Sequence, residues 1–127
     1  MTRDEFDAYC ATLKATTHVV QWGGASVWKV GGKIFAICSN WGPDDKRSGT
    51  QDSASRISFK CSDLSYQILC ELEGIEPAPY LARAKWVQLQ RAGALTHVDL
   101  KSYIADAHAI IAAKLTKKLQ RDLGLAA

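Results

Sequence analysis

Two runs rich in β-branched and aromatic residues, Ser26-Val27-Trp28-Lys29-Val30 and Lys33-Ile34-Phe35-Ala36-Ile37-Cys38, are separated only by Gly31-Gly32. A two-residue link of this kind favours a type I′ turn. Both of its central residues need positive φ, which glycine adopts without a Cβ clash. The chain therefore contains an antiparallel hairpin. With Val30 facing Lys33, strict alternation puts Trp28, Val30, Phe35 and Ile37 on one face and Val27, Lys29, Ile34 and Ala36 on the other. The first set holds the larger side chains and is assigned to the core, which leaves Lys29 on an open face. The same glycines do not make a phosphate loop. That loop needs G-x-x-x-x-G-K-[ST] between a strand and a helix, whereas Ile34 and a second strand follow Lys33.

The remaining segments put helices around this sheet. Thr2 and Glu5 form a capping-box pattern ahead of Phe6, Tyr9, Cys10 and Leu13, which recur at helical spacing. His18 to Trp22 reads as a first strand, and Gly23-Gly24 turns it into the hairpin. Arg56 to Lys60 alternates, with Ile57 and Phe59 inward. Ser62 or Asp63 caps a middle helix that carries Leu64, Ile68, Leu69 and Leu72 and ends at Gly74. Pro77 and Pro79 forbid regular structure from Ile75 to Tyr80, and Lys85 to Leu89 is a last strand. A long helix from about Asp99 presents Tyr103, Ile104, Ala107, Ile110 and Ile111, and Thr116 caps a short final helix. The order predicts an α+β fold, an antiparallel β-sheet flanked by N-terminal, middle and C-terminal helices. Phe35, Ile37, Ile57, Phe59, Leu69 and Ile111 are expected in one core.

At 127 residues the chain, 1–127, is a single domain by length. No apolar stretch approaches bilayer length, and the charged start Met1 to Asp7 does not resemble a signal peptide, so a cytoplasmic protein with no membrane partner is expected. Cys10, Cys38, Cys61 and Cys70 lack C-x-x-C spacing, and they read as reduced structural thiols. His18, His97 and His108 stand in no metal-ligand or catalytic signature, and Asp44-Asp45 alone makes a poor cation site. No cofactor, metal or catalytic residue is expected, and the chain reads as a non-enzymatic binding domain. The polar connection Ser39 to Ser55 is long enough to be functional or mobile.

The sheet supplies the candidate surface. Alternation places Lys29, Arg56, Ser58, Lys60, Trp86 and Gln88 on the face opposite the core. Basic residues interleaved with an aromatic ring suit backbone phosphates plus one stacked base. Lys114, Lys117, Lys118 and Arg121 follow at i, i+3, i+4 and i+7, a basic stripe on the terminal helices. The nucleic-acid-binding set is therefore Lys29, Arg56, Lys60, Trp86, Gln88, Lys114 and Lys118. A net charge of +3 permits such a ligand without demanding it. The alternative is a protein-interaction or chaperone-like adaptor module using the same sheet surface, in an oligomeric state that the residues leave open.

Four segments together resemble the MmcQ/YjbR family of small bacterial proteins. They are Trp28 to Ala36, Ile57-Ser58-Phe59-Lys60-Cys61, Gly74-Ile75-Glu76-Pro77-Ala78-Pro79-Tyr80 and Trp86-Val87-Gln88-Leu89, followed by the helix ending Ala113 to Lys118. The chain departs from that family at Ala107-His108, where Ser-Tyr is common, at Thr116, where proline is common, and in its longer Ser39 to Ser55 loop. The resemblance implies a CyaY-like α+β fold and DNA binding through paired wing-like hairpins. It supplies no catalytic residues. Lys60 and Trp86 match recurring positions of the family.

Overall fold

A computed structural model describes residues 1–21, 23–39, 56–78, 81–90 and 93–125. Helix α1 (Arg3–Thr12) opens on the expected capping box: the Thr2 hydroxyl accepts from the Glu5 N–H at 3.1 Å, and the Glu5 carboxylate accepts from the Thr2 N–H at 2.8 Å. Strands β1 (Thr16–Gln21), β2 (Ala25–Val30), β3 (Lys33–Ser39) and β4 (Arg56–Lys60) follow, then α2 (Asp63–Leu69) and β5 (Ile75–Pro77). A 3₁₀ turn (Ala82–Ala84) leads into β6 (Trp86–Leu89), α3 (His97–Ala113) and α4 (Lys117–Asp122). Ser62, Thr96 and Thr116 each cap a helix by accepting from the N–H three residues on. Among the described residues the strands form one antiparallel sheet in the order β1-β2-β3-β4-β6-β5, so the fold is α+β. The 40–55 connection, with Asp44 and Asp45, lies outside the described residues, as do Trp22 and Tyr80.

Two elements differ from the expectation. Ile75–Pro77 is a strand despite Pro77, because β5 is an edge strand, where a missing N–H breaks no ladder bond. The middle helix stops at Leu69, five residues before Gly74, and a turn held by the Leu72 N–H to Leu69 carbonyl bond at 3.0 Å continues it.

The hairpin forms as its glycines dictate, with Gly31 at φ +59° and Gly32 at φ +83° and Val30 opposite Lys33. Its alternation does not run through. Lys29 faces Ile34, but the next residue, Trp28, faces Ala36, so Phe35 is an extra residue in β3. A bulge of this kind breaks the period of two. Phe35 and Ala36 both enter the helix-side core with Trp28 and Val30, while Ile37 turns to the opposite face beside Val27. The expected positions of Ile37 and Ala36 are thereby exchanged. Phe35, Ile57, Phe59, Leu69 and Ile111 do share the main core, together with Phe6, Leu100 and Ile104 from α1 and α3.

The glycine turn also docks. A Cβ added to Gly31 would lie 2.5 Å from Cδ1 of the buried Leu115, at the end of α3, whereas one added to Gly32 meets nothing within 4 Å. Both Gly31→Ala and Gly32→Ala carry the cost of a non-glycine residue at positive φ, about 1–2 kcal/mol. Only Gly31→Ala must also displace Leu115, so it is expected to melt several degrees below Gly32→Ala; equal melting points in thermal denaturation would remove the contact from the account. Phe59 is fully buried and stacks on Tyr103 at 5.8 Å between centroids. Phe59→Ala is expected to cost about 3–5 kcal/mol in urea denaturation.

Candidate nucleic-acid interface

The registers confirm which residues share the face away from α1 and α3: Ser58 pairs with Gln88, and Lys60 with Trp86. That face is not open. Arg56 is 3% exposed, Ser58 1%, Trp86 5% and Gln88 0%. Trp86 packs with Val27, Ile37 and Ala78 in a second apolar cluster, flanked by Val19, Ile34 and Leu81. The Gln88 amide donates to the Ser58 hydroxyl at 3.2 Å, and its carbonyl oxygen accepts from Gln90 at 2.8 Å, so its polar atoms are satisfied inside. Of the expected set, Arg56, Trp86 and Gln88 are therefore interior residues. A buried indole cannot stack on a base, and a buried guanidinium cannot meet a phosphate. Polar alternation on β4 and β6 looked like a solvent face because a buried polar layer has the same period.

The lysines separate from them. Lys60 ends β4, and the chain neighbour of its partner Trp86 is Lys85, which precedes β6. Lys29 lies one residue before the end of β2 on the same side, half-buried. Lys114 caps the C-terminus of α3, adjoining Leu115 on the hairpin turn. These elements all end at one edge of the molecule. The pKa of Lys60 is lowered, first by burial of its stem, then by the positive charge of Lys114 and, more weakly, of Lys85, with Cys61 and Asp63 acting the other way. Its ammonium donates to the Ala84 carbonyl, which fixes its direction. Lys118 is exposed on α4, but its ammonium is bound to Asp122 at 2.9 Å. The expected stripe from Lys114 to Arg121 spans the two terminal helices, and Leu115 and Thr116 interrupt it between α3 and α4.

Lys85 is the residue that sequence reasoning missed. It holds φ +63°, a region unfavourable to a side chain with Cβ, and its carbonyl accepts from the Cys61 N–H at 3.0 Å. Its ammonium sits 4.9 Å from the centroid of the Tyr66 ring. Strained backbone of this kind costs of order 1–3 kcal/mol and is concentrated at working sites. The adjacency of Lys85 to Trp86 was visible in the sequence, but its backbone conformation was not.

A second polar cluster has a structural explanation. The His18 ring nitrogen Nε2 lies 2.7 Å from the Ser26 hydroxyl, which donates to the Asp7 carboxylate at 2.5 Å; Trp28 Nε1 donates to the same oxygen at 2.9 Å. Serine stands between the histidine and the carboxylate, and its proton goes to Asp7. A catalytic triad needs histidine in the middle, to take that proton. The network instead ties α1 to β1 and β2, with His18 stacked on Trp28 at 4.6 Å. The thiols are similarly inert: burial pushes Cys38 up to about 12 and Cys61 up to about 11.

Comparison with known proteins agrees with this architecture. A protein-family model described as YjbR matches residues 11–110. The crystal structure of the Deinococcus radiodurans protein DR2400, family-model domain DUF419, superimposes with a TM-score of 0.79 at 20% identity, over 98% of this chain and 89% of that one. No curated protein matches the chain.

The lysine edge has a direct spectroscopic signature. Lys114→Gln removes the larger of the two like charges acting on Lys60, so the Lys60 titration midpoint is expected to rise toward the ordinary lysine value. Lysine 13Cε chemical shifts followed through alkaline pH measure it. An unmoved midpoint would separate the two ammonium groups.

Proposed function

The chain belongs to the YjbR family, and we propose that it is a non-enzymatic nucleic-acid-binding domain whose contact surface is the lysine edge rather than the sheet face. The observation that supports this reading most is the convergence of Lys60, Lys85 and Lys114 from three separate elements, close enough for Lys60 to be perturbed by both others. Like charges held together raise the free energy of the unbound state, and a phosphate lowers it. Lysine is a point charge with rotatable donors, suited to phosphate oxygens rather than base edges. Binding of this kind is sequence-independent and strongly salt-dependent. Duplex DNA is the ligand we favour, with Lys29 and Lys118 at the margins of the contact. Four cysteines without a bridge support a cytoplasmic location. Among the described residues no helix is long and apolar enough to cross a membrane.

Anisotropy titrations of labelled duplex DNA at several salt concentrations provide the test. Removing one phosphate contact is expected to reduce the slope of log affinity against log salt by about 1. Lys114→Gln and Lys85→Gly should each do so. Lys85→Gly is the sharper variant, because glycine accepts φ +63° without strain and the fold should keep its stability. Trp86→Ala is expected to lose about 3–5 kcal/mol of stability as a core truncation. Absence of DNA binding by the wild type at low salt, or an unchanged slope in both lysine variants, would defeat the proposal.

A further inference from the structure

Lys60 is placed as a nucleophile and not only as a point charge. It ends β4 half-buried, and its Nζ donates to the Ala84 carbonyl, the peptide oxygen directly before Lys85. An ammonium has three donors and no lone pair. Loss of one proton leaves two N–H groups and a lone pair, so the neutral amine keeps its bond to Ala84 and directs the lone pair away from that carbonyl. The surroundings favour this neutral form. Burial of the stem lowers the Lys60 pKa most, followed by the charge of Lys114 at the end of α3; Cys61 and Asp63, just past β4, raise it, and Lys85 lowers it more weakly. Lysines desolvated beside other cations are the ones that act as nucleophiles. Lys14 and Lys101 are exposed instead.

The same neighbours select the electrophile. Lys85 and Lys114 bring two further ammonium groups, from two other elements, to the side of the attacking amine. An acyl phosphate meets both demands, since its carbonyl carbon takes the amine and its phosphoryl group takes the cations. We propose that Lys60 is an acylation site for acyl phosphates, with Lys85 and Lys114 drawing in the phosphoryl group. The neutral Nζ attacks the acyl carbon and forms a C–N bond. The bond from that carbon to the phosphoryl oxygen breaks, and the departing phosphate takes the proton lost by nitrogen. The product amide retains one N–H for Ala84, while the edge loses the charge of Lys60. As a means of releasing nucleic acid this rests on the reading of the edge given above; as a modification it stands apart from it.

Acetyl phosphate is the probe, and the readout is acetyl occupancy at each lysine of the folded chain, followed over time by mass spectrometry. Lys60 is expected to acetylate faster than Lys14 and Lys101. Lys114→Gln should slow Lys60 at least about twofold, the attraction of one unit charge for another across roughly 8 Å of water. It should leave Lys101 unchanged, thirteen residues away along α3 and so about 20 Å distant. Succinimidyl acetate, a neutral ester, should favour Lys60 less than acetyl phosphate does. Lys60 reacting no faster than the two exposed lysines, indifferently to Lys114→Gln, or with equal preference toward the neutral ester overturns the proposal. Lys60→Gln, which imitates the acetylated side chain, should lower the salt slope for duplex DNA by about 1, and Lys60→Arg should leave it in place. A wild type that binds no DNA but still acetylates first at Lys60 removes the nucleic-acid reading and keeps the modification.

Discussion

One extra residue in β3 decides how this sheet is used. Up to Ile34 the hairpin alternates as its glycines require; at Phe35 the bulge puts two consecutive side chains, Phe35 and Ala36, on the helix side. Phe35 is fully buried and meets His108 of α3 edge-on at 5.3 Å between centroids, while small Ala36 faces Trp28 and Phe59 across the ladders. Beyond the bulge the phase is reversed. Ile37 joins Val27 and Trp86 on the far face, and Cys38 joins Ile57 beneath the helices. Had the alternation continued, Ile37 would face α3 and the second apolar cluster would lose a central member.

Because both faces of the sheet are buried, ionisable side chains are pushed to its ends. The far face keeps polar groups only where they answer one another, as Gln88 does with Ser58 and Gln90. Burial of the Arg56 guanidinium likewise removes it from contact with a large ligand. The helices reinforce the partition through their dipoles. Asp4 and Glu5 stand in the first turn of α1 and Asp99 in that of α3, while Lys114 caps the α3 C-terminus. Part of the lysine clustering is thus ordinary helix stabilisation. The lowering of the Lys60 pKa by the charges of Lys114 and Lys85, and the αL backbone at Lys85, go beyond what that stabilisation requires.

The same partition explains why two surfaces of unlike chemistry coexist on a small domain. The edge where β2, β4 and α3 end gathers cations around the docked hairpin turn. A groove between α2 and α3 is lined by Asp99 and Asp106 together with Leu72 and Leu95. The family match covers most of the chain, and the Deinococcus radiodurans neighbour shares the fold at low identity, which speaks to the scaffold rather than to either surface.

Local chemistry made much of the architecture legible from residues alone. The Gly31-Gly32 turn, the caps at Thr2, Ser62 and Thr116, and the inward alternation of Ile57 and Phe59 depend on φ preference, side-chain hydrogen bonding and a short period, all properties of neighbouring residues. Lys29, Lys60 and Lys114 were also identifiable as charged residues near element ends. The bulge was not, because a period of two carries no mark of where it slips; that is decided by how Phe35 fits against α3. Nor was the burial of Arg56, Trp86 and Gln88, since alternation says which residues share a face and nothing about what covers it. Lys85 joined the candidate site only through its backbone conformation and its carbonyl's bond to Cys61 across the sheet. Sequence determined the elements and their facing sets. Tertiary packing decided which of those faces meet water, because exposure is a property of the whole assembled surface and not of any one strand.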